Sequence, residues 1–267
     1  GLVPVPGDGS FEWDGYLPIR EKPHLENPPE GFIATANQDV TPEDYEHWDA
    51  IGYSWSDTFR GRRIEEVLRD TALLDMQQMR ALQVDYHSLP ARELLPYLQD
   101  LWLSGKPAEA RSLLASWDHE LRPVSIAAAL YVAWEQELRQ QAWEQFVPEA
   151  AKPHLSSLQL ERVLQWIHRP EKMFGSAPAR DAFLKACFED AVAVLEDALG
   201  EDMNHWQYGQ AGWKHSRMTH PLSPFLSPEQ QSKVDLGPLP RGGNGYTPGS
   251  TGNAYRQSSG ASFRVLV

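Results

Sequence analysis

The sequence contains almost no cysteine. Among its 267 residues only Cys187 carries a thiol, so no disulfide can form within the chain, and sulfur content gives no information on the compartment. Cys187 lies on the apolar stripe of a predicted helix, and nothing nearby is expected to lower its pKa. A buried core residue is therefore predicted there rather than a reactive nucleophile.

Basic residues are also scarce. Lys and Arg number 24 against 37 Asp and Glu, which gives a net charge of −13. Proteins that bind nucleic acid need clustered Lys and Arg to neutralise phosphates, so this balance argues against nucleic-acid binding. No apolar run approaches the ~20 residues that span a bilayer, and no membrane span is predicted.

The two ends of the sequence lack the polar tails that are typical of native termini. It begins at Gly1 without a Met or a signal peptide, and it ends on the strand-like residues 262–267. We therefore expect this chain to be a portion of a longer polypeptide.

Apolar residues make up 41% of the sequence and include ten Trp, which is enough to build a globular core. Residues 1–42 are rich in Pro and Gly, and residues 1–60 are predicted to be core strands and loops, with a short strand at 31–36 and a helix start at Thr41–Asp44. Residues 61–200 have mostly helical periodicity, most clearly at 179–199, where Gly200 is a natural C-cap. Residues 201–267 are predicted to be loops and strands.

Two motifs have the composition of binding sites but lack the sequence context that such sites need. The glycine-rich stretch GGNGYTPGSTG does not lie between a strand and a helix and lacks the Gly-Lys-Ser/Thr ending of a phosphate loop. His205, His215 and His220 fall close together, but their spacing matches no zinc motif. Histidines that hydrogen-bond to loop backbone are the better interpretation.

Several ordered segments resemble the penicillin acylase family of N-terminal nucleophile hydrolases, which includes penicillin, cephalosporin and acyl-homoserine-lactone acylases. They are PVPGDGSFEWDGYLP, NPPEGFIATANQ, WSDTFRGRRIEEVL, LQVDYHS, HWQYGQAGWKHSRMTHPLS and GASFRVLV. The resemblance covers nearly the whole chain. It implies an α+β fold, in which residues 1–267 form the C-terminal part of one αββα core with a large helical insertion. Core strands are expected at about 30–37 and 260–267.

The resemblance also implies residue roles. It places Asn37 at the family's oxyanion-hole asparagine and Arg60 at the active-site arginine that orients the asparagine and the nucleophile's amine. Without the resemblance, Asn37 would be a turn residue and Arg60 a surface residue. Asp49 falls where the family has one ligand of a structural calcium. Since calcium takes about six to eight oxygens, one aspartate is weak support, and most other family ligands are expected upstream of Gly1.

In this family a precursor is cut into two chains, and the new N-terminal Ser of the second chain attacks the amide. Gly1 is not Ser, so the nucleophile, the acyl pocket, the N-terminal part of the catalytic β-chain and the whole α-chain are expected outside this sequence. The portion alone is expected to be inactive. The substrate is expected to be a small N-acyl compound, such as a β-lactam antibiotic or a quorum signal, and the location to be periplasmic or secreted.

A different class of function stays open from the residues alone. The helical middle and the ten Trp also suit a non-catalytic domain that binds a protein partner. A polypeptide carrying an N-terminal Ser next to Asn37 would distinguish the hydrolase from this alternative.

Overall fold

Helix-forming periodicity and polar caps define most of the structure. The computed structural model describes residues 4–70, 73–261 and 264–266. Within them lie eight α-helices: α1 Phe59–Asp70, α2 Met76–Leu82, α3 Leu89–Gln99, α4 Gly105–Ser112, α5 Ile126–Phe146, α6 Leu160–His168, α7 Ala177–Leu199 and α8 Pro228–Val234. Five of them start on a side chain that accepts the N–H three residues later: Asp75, Ser88, Ser125, Ser176 and Ser227.

The core is built around α5 and α7. Residues 127–135 of α5 are buried around the whole circumference of the helix, as expected of a central helix. Trp134 donates from Nε1 to the carbonyl oxygen of Leu184 across 3.2 Å and meets Phe188 edge-on. These contacts join the two longest helices. Among the described residues, neither α5, nor α7, nor any other helix is long and apolar enough to cross a membrane.

The helix predicted at 179–199 is confirmed as α7. It begins at Ala177, after the cap Ser176, and ends before Gly200, whose φ of +89° suits glycine. Cys187 is fully buried on this helix, and burial raises the pKa of its thiol. Its prediction as a core residue is confirmed.

A small three-stranded sheet forms from residues that follow α7 in the chain, with α8 between its first two strands. Its strands are β1 His215–Met218, β2 Leu236–Pro240 and β3 Arg256–Gln257, in the order β2-β1-β3. β1 runs antiparallel to β2 and parallel to β3, with an irregular register between Ser216 and Met218. Helices and a small sheet together give the mixed α and β structure that was predicted.

Neither of the two predicted core strands forms among the described residues. Residues 31–36 are irregular, and Ile33 is exposed. Residues 260–261 and 264–266 are also outside any strand, while 262, 263 and 267 lie outside the described residues. The apolar pattern of residues 31–36 predicts a strand, which the structure does not have there. A strand also requires a neighbour that accepts and donates ladder hydrogen bonds, and none pairs with these residues within the described structure.

The helix start predicted at Thr41–Asp44 is also wrong. The carboxylate of Asp39 accepts the N–H of Thr41 across 2.9 Å, and Tyr45 N–H closes a turn on the carbonyl of Pro42 across 3.0 Å. These local bonds make turns instead of a helix, which is a common competing use of Asp and Pro. Only a short 3₁₀ turn follows, at Trp48–Ala50.

Candidate active site

Asn37 lies in a turn whose backbone is unusual. Its φ is +68°, a left-handed conformation that asparagine adopts more readily than most residues. The N–H of Ser56 donates to the carbonyl of Asn37 across 2.9 Å. The residue is exposed and does not lie at the end of a strand, so the strand predicted at about 30–37 does not position it. The turn holds it instead.

The side chain of Asn37 is held by Arg60, the second residue of α1. Nη2 of Arg60 donates to Oδ1 of Asn37 across 2.8 Å, joining residues 23 positions apart. A guanidinium has donors and no acceptor, so the amide atom facing it must be the oxygen. The NH₂ group of Asn37 is therefore turned away from Arg60. Arg60 is half-buried, and this burial lowers its pKa, although an arginine stays charged near neutral pH.

Both residues line an open cleft of about 840 Å³. Its walls come from residues 35–37, residues 60–64 of α1, residues 79–83 around the end of α2, residues 248–261, and Arg264 and Val265. The lining includes the hydroxyls of Ser250 and Ser259. A cleft of this size accommodates a small ligand together with a reacting group.

The glycine-rich segment that forms one wall is packed on Tyr86. A Cβ atom added to Gly242, Gly243 or Gly249 would lie 2.5, 2.7 or 2.8 Å from the Tyr86 ring. These glycines are needed because the backbone lies directly against an aromatic ring. The segment was correctly judged not to be a phosphate loop, but its packing role was not predicted.

Lys214 anchors the same wall from inside. It is fully buried, and its ammonium group donates to the carbonyls of Thr251, Gly252 and Ala254 across 3.0, 2.7 and 2.8 Å. Burial lowers the pKa of Lys214 to about 8. Three carbonyl oxygens satisfy its three donors, so this lysine fixes the path of the chain beside Gly252, a residue of the cleft.

A buried carboxyl connects the wall to the core. Glu135 of α5 accepts from the hydroxyl of Tyr131 across 2.8 Å and from Nδ2 of Asn244 across 3.2 Å. Burial raises the pKa of Glu135 to about 7, while the hydrogen bonds from Tyr131 and Asn244 oppose the shift. Asn244 lies in the glycine-rich segment, so the cleft wall is tied to the central helix through this group.

Comparison with known proteins identifies the family of this chain. A family model described as penicillin amidase matches residues 1–267. The chain belongs to the penicillin amidase family. An acyl-homoserine lactone acylase QuiP of Pseudomonas fluorescens is 29% identical over 96% of this chain and 33% of its own length. The QuiP acylase of Pseudomonas putida is 28% identical over the whole of this chain and 36% of its own length.

Penicillin acylases match over shorter stretches. A penicillin acylase 2 proenzyme of a Pseudomonas species is 33% identical over 52% of this chain and 18% of its own length. This penicillin amidase family chain therefore spans about a third of the length of the curated acyl-homoserine lactone acylases that it matches.

Asp49 does not line the cleft. It is exposed, in the 3₁₀ turn Trp48–Ala50. Within residues 4–70, 73–261 and 264–266, no group of three His, Cys, Asp or Glu side chains is arranged to hold a metal ion. The residues present do not by themselves fit a calcium ion, which needs about six to eight oxygens. No chemical step is therefore assigned to a metal.

The three histidines considered above have separate surroundings. Nδ1 of His215 lies 3.0 Å from the carbonyl oxygen of Trp213. The N–H of His220 donates to Asp235 across 2.8 Å, and its ring nitrogen accepts from Leu222 N–H across 3.1 Å. Two of the three thus engage loop backbone, as predicted.

Sequence reasoning missed Gln38, Gly61, Lys214 and Glu135. Gln38 and Gly61 follow directly after Asn37 and Arg60, and this adjacency is the one signal that the sequence offered. The sequence predicts a loop around Lys214 and an ordinary helix around Glu135. The partners of Lys214 lie 37–40 positions away and Asn244 lies 109 positions from Glu135, and no local pattern reveals contacts at such a distance.

Proposed function

We propose that this chain is the C-terminal part of the catalytic subunit of an acylase that cleaves an N-acyl amide bond. The nucleophile is an N-terminal Ser supplied by polypeptide outside this chain, released when a precursor cuts itself. Asn37 donates from its NH₂ group to the oxyanion that forms on the scissile carbonyl. Arg60 orients Asn37 and the nucleophile's amine.

The orientation of the Asn37 amide carries this proposal. Because Arg60 occupies the side-chain oxygen, the NH₂ group is fixed as the available donor, and Asn37 lines the cleft. Preorganised donors of this kind stabilise developing negative charge without having to reorganise during the reaction. Its exposure in this chain is accounted for if the acyl pocket and the nucleophile come from the rest of the subunit.

The reaction follows from these groups in two stages. The α-amine of the Ser, with an ordinary pKa near ~8, takes the hydroxyl proton while the oxygen attacks the carbonyl carbon. The resulting oxyanion accepts a hydrogen bond from Asn37. The α-amine of the Ser then passes its extra proton to the nitrogen of the substrate amide, which leaves as a free amine. Water then attacks the acyl-enzyme, again through an oxyanion held by Asn37, and the carboxylic acid is released. Ser is regenerated.

The exposed N-terminal segment supports the proposed partners. Phe11, Trp13, Tyr16 and Ile19 expose between 61% and 90% of their surface. The rings of Trp13 and Tyr16 meet edge-on, with centroids 6.5 Å apart, and large exposed apolar side chains of this kind are typical of a contact surface. We assign this surface to the N-terminal part of the β-chain and the α-chain of the same precursor. A calcium ion at Asp49 would then need its remaining ligands from that polypeptide, and a periplasmic or secreted location accompanies the family.

The substrate is proposed to be a small N-acyl compound, either an acyl-homoserine lactone or a β-lactam. The relatives with the longest matches are named acyl-homoserine lactone acylases, which favours the first. A non-catalytic interaction domain gains no specific support beyond the exposed aromatics, which the proposed partners already account for.

The test uses the protein expressed with all of its natural flanking sequence. It is assayed with N-acyl p-nitroanilides that carry short or long acyl chains, and with an acyl-homoserine lactone. We expect amide hydrolysis that is absent from the 267-residue chain alone and from the variant in which the N-terminal Ser is replaced by Ala. Robust hydrolysis by the 267-residue chain alone would overturn the assignment of the nucleophile.

A further inference from the structure

A second contact lies one residue beyond the Asn37–Arg60 pair. Gln38 follows Asn37, and Gly61 follows Arg60. The side chain of Gln38 is buried, and its amide lies against the backbone of Gly61, where an added Cβ would come within 2.5 Å of Cδ and 2.8 Å of Oε1. Real Cβ atoms do not approach so closely, so only glycine leaves room for this amide.

The same amide closes a ring around Asn37. Oε1 of Gln38 accepts the N–H of Ala36 across 2.6 Å, so the residues on both sides of Asn37 are joined to each other. Asn37 lies between them with its φ of +68°. A non-glycine residue keeps such a conformation when its surroundings hold it there, as this hydrogen bond and the bond from Ser56 do.

Gly61 is otherwise an unfavourable choice at its position. It is buried in the first turn of α1, where glycine lowers helix stability relative to alanine. Its small size is explained by the amide of Gln38, which occupies the space that a methyl group would need. The helix therefore carries a locally unfavourable residue at the point where it touches the turn that presents Asn37.

We infer that Gln38 and Gly61 form a positioning contact that fixes the Asn37 turn against α1 and so aims the Asn37 amide into the cleft. This inference rests on the proposed function, because it assigns the contact to the oxyanion donor. Neither residue touches the reacting atoms, and each acts through Asn37. Arg60 holds the side chain, while Gln38 and Gly61 hold the backbone that carries it.

The test is a double-mutant cycle in the protein with its natural flanking sequence. Gln38→Ala and Gly61→Ala are each expected to lower kcat about tenfold or more, since a displacement of ~1 Å at a reacting group can cost ~10²-fold. KM is expected to change less than about twofold. The double variant is expected to be no slower than Gln38→Ala, because the new methyl group then fills the space left by the amide.

Matched variants separate positioning from general damage. Gly212→Ala adds a methyl group in ordinary contact with Leu199, and Gln77→Ala removes an exposed glutamine from α2. Both are expected to keep kcat. The thermal midpoint should be higher in the double variant than in Gln38→Ala, because alanine favours the helix.

The outcomes distinguish this inference from the proposed function. If the parent protein is active and Asn37→Ala is inactive, but Gln38→Ala keeps full kcat, the positioning contact is refuted and the function stands. Strictly additive losses in the double variant would also refute it, because the two residues would then act independently. If Asn37→Ala keeps full activity, the proposed role of Asn37 is refuted, and the positioning contact loses the role assigned to it.

Discussion

Arg60 and Asn37 are joined by one hydrogen bond in which Arg60 must be the donor and Asn37 the acceptor. Arg60 can only donate, so the oxygen of the Asn37 amide faces it and the NH₂ group faces away. A single contact of 2.8 Å thus sets the chemical character that Asn37 presents to the cleft.

Asn37→Asp removes the donor while keeping an acceptor for Arg60 and a residue that tolerates the left-handed backbone. In the protein with its flanking sequence we expect kcat to fall by ~10²–10³, with a modest effect on KM, as for loss of one oxyanion donor. Steady-state kinetics measure this, and thermal unfolding should show an unchanged fold. Turnover comparable to the parent protein would remove Asn37 from the mechanism.

Arg60→Lys keeps the positive charge but loses the planar group that fixes the amide. We expect kcat to fall about tenfold, because the Asn37 amide can then rotate and its donor is no longer held in one direction. In the Asn37→Asp background the same substitution should have little further effect on kcat. A full tenfold loss in that background would show that Arg60 acts independently of Asn37.

The raised pKa of Glu135 should make the free energy of unfolding depend on pH. Its pKa is raised to about 7 in the folded protein, above its value near 4.5 in an unfolded chain, so the folded state binds the proton more tightly. The stabilisation is complete below pH ~4.5 and is lost as the pH rises through ~7, by about 3 kcal/mol. In Glu135→Gln this contribution should disappear from urea unfolding measured between pH 5 and 8.

The glutamine variant is expected to fold. Its oxygen can accept from Asn244, and its NH₂ group can donate to the hydroxyl of Tyr131, which accepts as well as donates. If the free energy of unfolding of the variant keeps the slope of the parent protein between pH 5 and 7, then Glu135 is not the titrating group.

Lys214→Met removes the donors from the carbonyls of Thr251, Gly252 and Ala254 at nearly constant volume. Thr251 is buried, whereas Gly252 is half-buried and the exposed Ala254 can turn to water. A buried unsatisfied group costs about 1–3 kcal/mol, so we expect the free energy of unfolding to fall by about that amount. Lys172→Met, at an exposed position, is the matched control and should change it by less than ~0.5 kcal/mol. Equal effects of the two substitutions would contradict the anchoring role of Lys214.

The contrast between residues 179–199 and 31–36 shows how far sequence reasoning reaches here. The first forms the predicted helix because its cap, its apolar stripe and its terminal glycine are all local signals. The second has the right composition for a strand, but pairing depends on a neighbour that the local sequence does not specify. The Asn37–Arg60 pair came from the family resemblance, and no spacing rule brings together residues 23 positions apart.

Cys187 gives this chain an internal reporter of its own opening. As the sole thiol, and one that is fully covered in α7, it can react with an alkylating reagent only when the helix separates from the core. The labelling rate under native conditions therefore measures how often the centre of the molecule is breached. No engineered probe is required for that measurement, and wild-type protein and every variant can be compared on the same scale.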